Sequence, residues 1–421
     1  MLRRRVIAAF VVVTALIADD LPESVIKLAR VKTKVAGWLE HLPNYTCLVT
    51  VQRMSQSPRA PAFTPIDKMW YDIAHSNGRE LFAWPGSGRF SEHPITTAVT
   101  YGVSSDGEFA LHAKTVFTGG YATIRFHGRE DLNGRESLRW DYVIPLFGSA
   151  WTINHAGREA QVSSHGSFWI DAERLDLIRL EVYADGLPAD FPDRDASTTV
   201  DYGPVRMGAR DVLLPQTATL ILAEQSGTRN RNVMEFSHCR QYAGESSIRF
   251  DTEDAPSTSS VAPESAEAEL PSGVPLRLQL SESIDSRTAA IGDPVNAALV
   301  TDVIQHGRTL ILAGATVRGR IRRIERQAGP AVPSVVEIEF IEMEFSGKRA
   351  RFFGELKRLE GSVNGLRTIS SPAIPGAARL SFEGSSFHLS RGTIMLWTTE
   401  GLKRLERSGP SVGQQPVRFR Y

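Results

Sequence analysis

The chain of 421 residues has two cysteines, no surplus of either charge and no apolar run long enough to cross a bilayer. Each scarcity excludes something. Lys plus Arg and Asp plus Glu stand at 48 each, so no global field draws the chain to nucleic acid or to an anionic surface. The two cysteines are too far apart for a Cys-x-x-Cys site, and the ten histidines are scattered without a His-Glu-x-x-His run. A Gly-rich phosphate loop is missing as well. No catalytic residue, metal ligand or cofactor is therefore expected, and the chain reads as non-enzymatic.

What is present begins with an address. Arg3, Arg4 and Arg5 precede the apolar run Val6 to Ala18, and Asp19-Asp20 follow it, the order of a signal peptide spanning 1–18. That run has about thirteen residues where a spanning helix needs roughly twenty, so cleavage after Ala15 or Ala18 is expected over a retained anchor. No cysteine lies there to carry a lipid, and no integral span is expected after cleavage. In the oxidising compartment beyond, Cys47 and Cys239 read as one disulfide, the alternative being two buried free thiols.

Apolar residues Val25, Ile26, Ala29, Val35, Trp38, Leu39 and Leu42 recur at helical spacing, so a helix leads the mature chain. Short segments with alternating burial follow, separated by turns such as Asn133-Gly134 and Ser226-Gly227, which is the pattern of an antiparallel meander. Ile95 to Tyr101 and Gly107 to Phe117 read as inserted helices. From 251 to 270 the composition turns to Ser, Glu, Ala and Pro, a disordered linker. A small β-barrel or sandwich is expected over 271–405, with Ser362 to Gly376 as a long loop and 406–421 as a flexible tail. Arg318, Arg320, Arg322, Arg323 and Arg326 alternate with apolar residues as the wet face of a strand. His165 and His238 read as structural, hydrogen-bonded histidines. The acidic groups Asp171, Glu173, Asp176 and Asp190, Asp193, Asp195 read as solvated turns.

Leu42-Pro43-Asn44-Tyr45-Thr46-Cys47, Gly166-Ser167-Phe168-Trp169-Ile170-Asp171 and Phe236-Ser237-His238-Cys239 resemble exported, uncharacterised acidobacterial proteins. These are similar to the periplasmic lipoprotein-carrier and outer-membrane-lipoprotein-sorting superfamily. The resemblance covers 19–250 and implies a curved antiparallel half-barrel with an N-terminal helix, whose concave face shelters acyl chains. Leu270-Pro271-Ser272-Gly273-Val274-Pro275, Gly292-Asp293-Pro294-Val295 and Leu312-Ala313-Gly314-Ala315-Thr316-Val317-Arg318-Gly319 resemble the opening of the C-terminal β-barrel domain of the type IV secretion channel core subunit. No membrane-crossing antenna follows, so a small envelope-associated β-domain is what that likeness implies.

Together these readings give a mainly β, exported protein of the periplasm or cell envelope. Its expected ligand is a lipid or lipoprotein held by Trp140, Tyr142, Leu180 and Leu220 on the concave face, with an envelope protein as second partner. The alternative is an assembly scaffold in which Trp38, Phe109 and Phe117 close that face and only proteins bind. The export reading has a direct check: mature protein from the native host should begin at or near Leu16 or Asp19, and mass spectrometry finding an intact Met1 in a cytoplasmic fraction would overturn it.

Overall fold

The computed structural model describes residues 21–241, 267–401 and 418–420, apart from 77–78, 88–89, 92–94, 96–102, 104–109, 156–157, 306, 327–332, 362, 371–373 and 385. The expected signal peptide lies outside them, as do most of the linker and tail, Phe109 and all but Ile95 of the first inserted helix. Helix α1 (Glu23–Glu40) precedes β1 (Tyr45–Gln56), β2 (Thr64–Ser76) and β3 (Arg79–Ala83). Then come α2 (Leu111–Phe117), β4 (Thr123–Leu132), β5 (Arg135–Ile144), β6 (Thr152–His155), β7 (Arg158–Gln161) and β8 (Ser163–Asp171). Strands β9 (Leu177–Asp185), β10 (Asp193–Met207), β11 (Arg210–Glu224) and β12 (Arg229–Gln241) complete the first half.

Ten of these strands form one antiparallel sheet in the order β3-β2-β1-β12-β11-β10-β9-β8-β5-β4. Side chains alternate across each strand, so cross-strand partners share a face. One row of partners runs Met69, Val51, Met234, Ala218, Val200, Leu180, Phe168, Trp140 and Phe126, from β2 to β4. All but Phe126 are buried. The neighbouring row begins with a buried ion pair, Arg53 Nε donating to Asp67 Oδ1 at 2.7 Å, and continues through Asn232 to Leu220. Nothing in the sequence pattern announced that pair.

Helix α1 forms because Val31, Val35 and Leu39 recur every four residues on one face, and that face is buried. Pro43 follows its C-cap at His41. Helix α2 buries His112, Ala113, Val116 and Phe117, the Phe117 ring meeting Phe168 edge-on at 4.8 Å. Cys47 on β1 and Cys239 on β12 are bonded, with their Cα atoms 4.0 Å apart. The bridge sits where the β1–β12 register shifts between Thr46 and Leu48, beside His238 at φ 51°. First and last strands of the sheet are thus neighbours joined covalently.

In the second half, the strand Ser334–Phe345 pairs with Thr316–Glu325 and Ala377–Phe382. The sheet goes on through Pro294–Leu299, Pro275–Leu280 and Ile394–Thr399 to Gly354–Glu360, curling into a nearly closed barrel around Trp397, Phe340 and Phe352. The stretch read as a loop contains the strand Leu366–Ser370, paired with Ala377–Phe382. Glu267–Glu269, at the end of the expected linker, pairs in parallel with Lys348–Arg351, and Arg418–Arg420 of the expected tail pairs with β6.

The halves meet at an edge. Ile291 N–H donates to Lys68 O at 2.8 Å and Trp70 N–H donates to Ile291 O at 3.0 Å. Gly292 has φ 99°, and a Cβ there would lie 2.5 Å from Trp70 O. Arg320 and Arg322 stack their guanidiniums on Trp84, 5.7 and 5.4 Å from the ring centroid. Burial lowers Arg320 to about 10, with Glu339 opposing that shift. Arg323 is buried and pairs with Glu325 and Glu337. Of the five arginines read as a wet face, only Arg318 is exposed; Arg320 and Arg322 turn onto Trp84, Arg322 also onto Glu339, Arg323 onto its Glu partners and Arg326 onto Ala289 O.

A bridge separated by 192 residues restricts the unfolded chain strongly. The Cys47→Ala/Cys239→Ala variant should lose about 2–4 kcal/mol in urea denaturation while keeping its far-UV spectrum; unchanged stability would show the bridge to be idle.

Candidate functional site

The four residues expected to hold ligand do share one face. Trp140 and Leu180 belong to the first row, Tyr142 and Leu220 to the next. None is more than 2% exposed. The Trp140 ring stacks on Phe168 at 5.5 Å, and the Tyr142 hydroxyl donates to Glu181 O at 2.8 Å. Gly166 lies between Tyr142 and Val182 because a Cβ there would meet Glu181 O at 1.9 Å and the Tyr142 hydroxyl at 2.8 Å. This explains the glycine of the Gly166-Ser167-Phe168-Trp169 segment. Phe117 of α2 and Trp38 of α1 cover this face, as in the closed alternative.

An opening lies at one end of the same face. A groove of about 370 Å³ separates the C-terminal half of α1 from the β8–β9 turn and the β10–β11 hairpin. Its floor includes Val35, Trp38, Leu177, Tyr202 and Leu213. Trp38 Nε1 donates to Leu213 O at 2.8 Å, and its ring meets Tyr202 edge-on at 5.7 Å. Leu177 is the cross-strand partner of Ile170, and Tyr202 stands two residues from Val200, so the floor continues into the inward face.

The rim is cationic. Lys34, Arg135, Arg174 and Arg210 face Asp176 and Asp211. Lys34 Nζ lies 2.7 Å from Asp176 and Arg174 Nε 3.5 Å from it, while Arg206 takes Asp211 at 3.3 Å. Arg210 has no ion-pair partner among the described residues. The β8–β9 turn that presents Arg174 is organised by Asp171, whose carboxylate accepts from the N–H of Glu173 at 3.1 Å and of Arg174 at 2.8 Å. Burial would raise Asp171; those two donors and the nearby arginines outweigh it and hold the carboxyl below its ordinary value. The turn expected at Asp171, Glu173 and Asp176 forms, but Asp171 ends β8 buried instead of solvated, because the turn's own N–H groups close over its carboxylate.

Leu175 closes the turn at φ 57°, a left-handed position that ordinarily favours Gly or Asn. Its side chain lines the groove and packs on the core. A residue that disfavours this backbone sits where its side chain contributes apolar surface to the opening.

Asp193 departs from its expected place in a solvated loop. It begins β10 fully buried and accepts from His155 Nδ1 at 2.9 Å. Burial would lower His155, but Asp193 outweighs it and raises the imidazole. Neither lines the groove. His165 pairs with Asp185 at 2.6 Å and stacks on Tyr183, and His238 lies 3.1 Å from Ser237 Oγ. Among the described residues no group of three or more His, Cys, Asp or Glu side chains is placed to hold a metal ion, and no helix is long and apolar enough to cross a membrane.

No family model and no curated protein matches the chain. Among solved structures, it is similar to a LolA superfamily protein from Nitrosomonas europaea at 10% identity and a TM-score of 0.27, over 51% of this chain and 94% of that one. A putative outer membrane lipoprotein-sorting protein domain from Vibrio parahaemolyticus gives 9% and 0.28, over 50% and 90%. A DUF1329 family protein from Desulfovibrio piger gives 11% and 0.28, over 52% and 94%. The first two are of the kind that residues 19–250 resemble in sequence.

Acid should loosen the cover of the inward face. Burial lowers His112, on α2 beside Trp151, from 6.5 to about 4. Above 6.5 both folded and unfolded chains hold it neutral. As pH falls from 6.5 towards 4 the unfolded chain takes up the proton first, so this contribution to stability is lost by about 3 kcal/mol. Urea denaturation at pH 7 and pH 4.5 should show a drop that is smaller in His112→Gln; an equal drop in both proteins would place the acid sensitivity elsewhere.

Proposed function

We propose that the chain is a non-enzymatic binding protein, exported to the periplasm or cell envelope, that takes the acyl chain of a lipid or lipidated protein between α1 and the half-barrel. The carrying observation is the continuity of the groove floor, through Leu177 and Tyr202, with the buried face of Leu180, Leu220, Tyr142 and Trp140. At about 370 Å³ the groove is at the small end of the range for ligand pockets. A long chain therefore fits by lifting α1 and running inward along that face. The cationic rim suits a carboxylate or phosphate head held outside.

The disulfide supports an oxidising compartment. The second half, a nearly closed barrel with its own core, supplies surface for an envelope protein partner. One observation favours the scaffold reading instead: the four inward residues are already sealed, and a fully packed half-barrel would bind proteins only.

Titration with a fluorescent fatty acid separates the two. Leu175→Gly relieves the left-handed leucine while removing groove surface, two effects of about 1 kcal/mol each on stability, so its melting temperature should stay within a few degrees. Its affinity should fall several-fold, and that of Leu213→Glu at least tenfold. Leu180→Glu, by contrast, buries an unpaired carboxylate and should unfold the domain. Absence of fatty-acid binding by the native protein, or unchanged affinity in both groove variants, would leave the scaffold reading standing.

A further inference from the structure

A second apolar surface lies apart from the groove, at the β4–β5 end of the sheet. Phe147 is 78% exposed, Tyr121 and Val143 54% and Leu146 51%. Folded proteins seldom display aromatic and aliphatic side chains together in this way without a partner. The cluster is built: Phe147 meets Tyr121 edge-on at 5.5 Å. Leu146–Gly148 form a single 3-10 turn after Pro145, and Gln161 Nε2 donates to Leu146 O at 3.3 Å and to Ser149 O at 2.7 Å. Gly148 is needed there, since a Cβ would fall 2.4 Å from the Tyr121 Cβ. The turn is therefore fixed with its apolar side chains outward.

We propose that this tip docks on a phospholipid bilayer, inserting Phe147, Leu146 and Tyr121 among the headgroups. Two observations select a bilayer over a protein. The first is size. A large aromatic side chain offers about 150–250 Å² when exposed, so four partly exposed residues present on the order of 400 Å². A stable protein interface takes about 800 Å² from each partner, whereas apolar and aromatic side chains enter a membrane interface singly, without a complementary surface. The second is charge. Thr118 to Phe126 and Tyr142 to His155 contain no Asp or Glu, and their one fully charged residue, Arg125, is exposed with no ion-pair partner among the described residues. The nearest acid on the face of Val143 is Asp141, two residues back on β5 and opposite Arg125, already held by His127 at 2.9 Å and Arg139 at 3.0 Å; Asp185, on the far side of His165, is bound by that histidine. The acids nearest the tip each have a hydrogen-bonded partner, and Arg125 is the charge left to meet phosphate headgroups.

The test is sedimentation of the mature full chain with vesicles of phosphatidylcholine, alone or mixed with phosphatidylglycerol. The protein should pellet with both, more strongly with the mixture. Leu146→Ser/Phe147→Ser should weaken binding tenfold or more, with an unchanged melting temperature because both sites are exposed. Arg125→Glu should abolish the preference for phosphatidylglycerol, and the groove variant Leu213→Glu should bind vesicles as the native protein does, which separates this site from the groove. In a second measurement, Phe147→Trp should be quenched by brominated lipid. The proposal fails if native protein stays in the supernatant, if the double variant still pellets, or if sedimentation equilibrium shows a dimer that the double variant dissolves, since a second copy would then occupy the tip.

Discussion

The row of cross-strand side chains from Met69 on β2 to Phe126 on β4 sets the geometry on which everything else rests. The side-chain period of a strand is two, so a slip of one residue in any pairing would turn that strand's apolar set outward. One register is thus selected across the sheet, and with it the positions of Leu177 and Tyr202 at the groove. The row is not uniform. Its large members, Phe168 and Trp140, lie towards β4, and its smallest, Ala218, lies on β11 beside Val200 on β10. Those are the strands on which α1 rests through Trp38, Tyr202 and Leu213. Small side chains there leave room for a helix, and the helix closes the half-barrel.

The same row explains how the two halves join. With β1 beside β12 and tied to it by Cys47–Cys239, the free edges of the sheet are β4 at one end and β3 with part of β2 at the other. Strand β3 pairs with β2 only from Asp72 to Ser76. Lys68 and Trp70 would otherwise expose backbone donors and acceptors, a template for unwanted strand pairing. Ile291 takes them, directly beside Met69 at the end of the apolar row. The approach is close enough that Gly292 cannot carry a side chain, and Arg320 and Arg322 complete the cover over Trp84.

Periodicity made most of this legible. Alternation gave the meander, helical spacing gave α1, although the buried Val31 lies outside the apolar set read there and Val25 and Ile26 of that set are exposed, and two cysteines near opposite ends of the meander gave a bond that requires first and last strands to be neighbours. What stayed hidden depends on partners distant in sequence. Arg323 reads as a solvent-facing residue until Glu337 arrives from another strand, and Asp193 reads as a loop acid until His155, 38 residues away, buries its charge. Leu366–Ser370 lacks strand composition and becomes a strand because Ala377–Phe382 offers an edge. Four inward residues near the expected site were found by pattern, yet the groove itself was not, because it arises between α1 and two turns. Leu175 was the available signal, a leucine where the turn calls for glycine or asparagine.

Whether a closed half-barrel can admit an acyl chain is a question of magnitudes. Helix α1 covers the face through three buried apolar side chains, Val31, Val35 and Leu39, each contributing about 1.5–3 kcal/mol by burial. Leu28, Trp38 and Leu42 add partly buried apolar contacts, Trp38 against Tyr202 at 5.7 Å, and polar ties lie at the groove: Lys34 to Asp176, and Trp38 to Leu213 O. Lifting its C-terminal half gives up the burial of Val35, Trp38 and Leu39, roughly 5–9 kcal/mol. A sixteen-carbon chain taken from water gains on the order of 12 kcal/mol at about 0.8 kcal/mol per methylene. For the acyl ligand proposed above, the exchange would favour a long chain over a short one, because the helix has to be displaced before the inner face contributes. Under that proposal, discrimination by chain length would come from the apolar contacts that hold α1 down, and a more heavily packed helix would make the same sheet a sealed core.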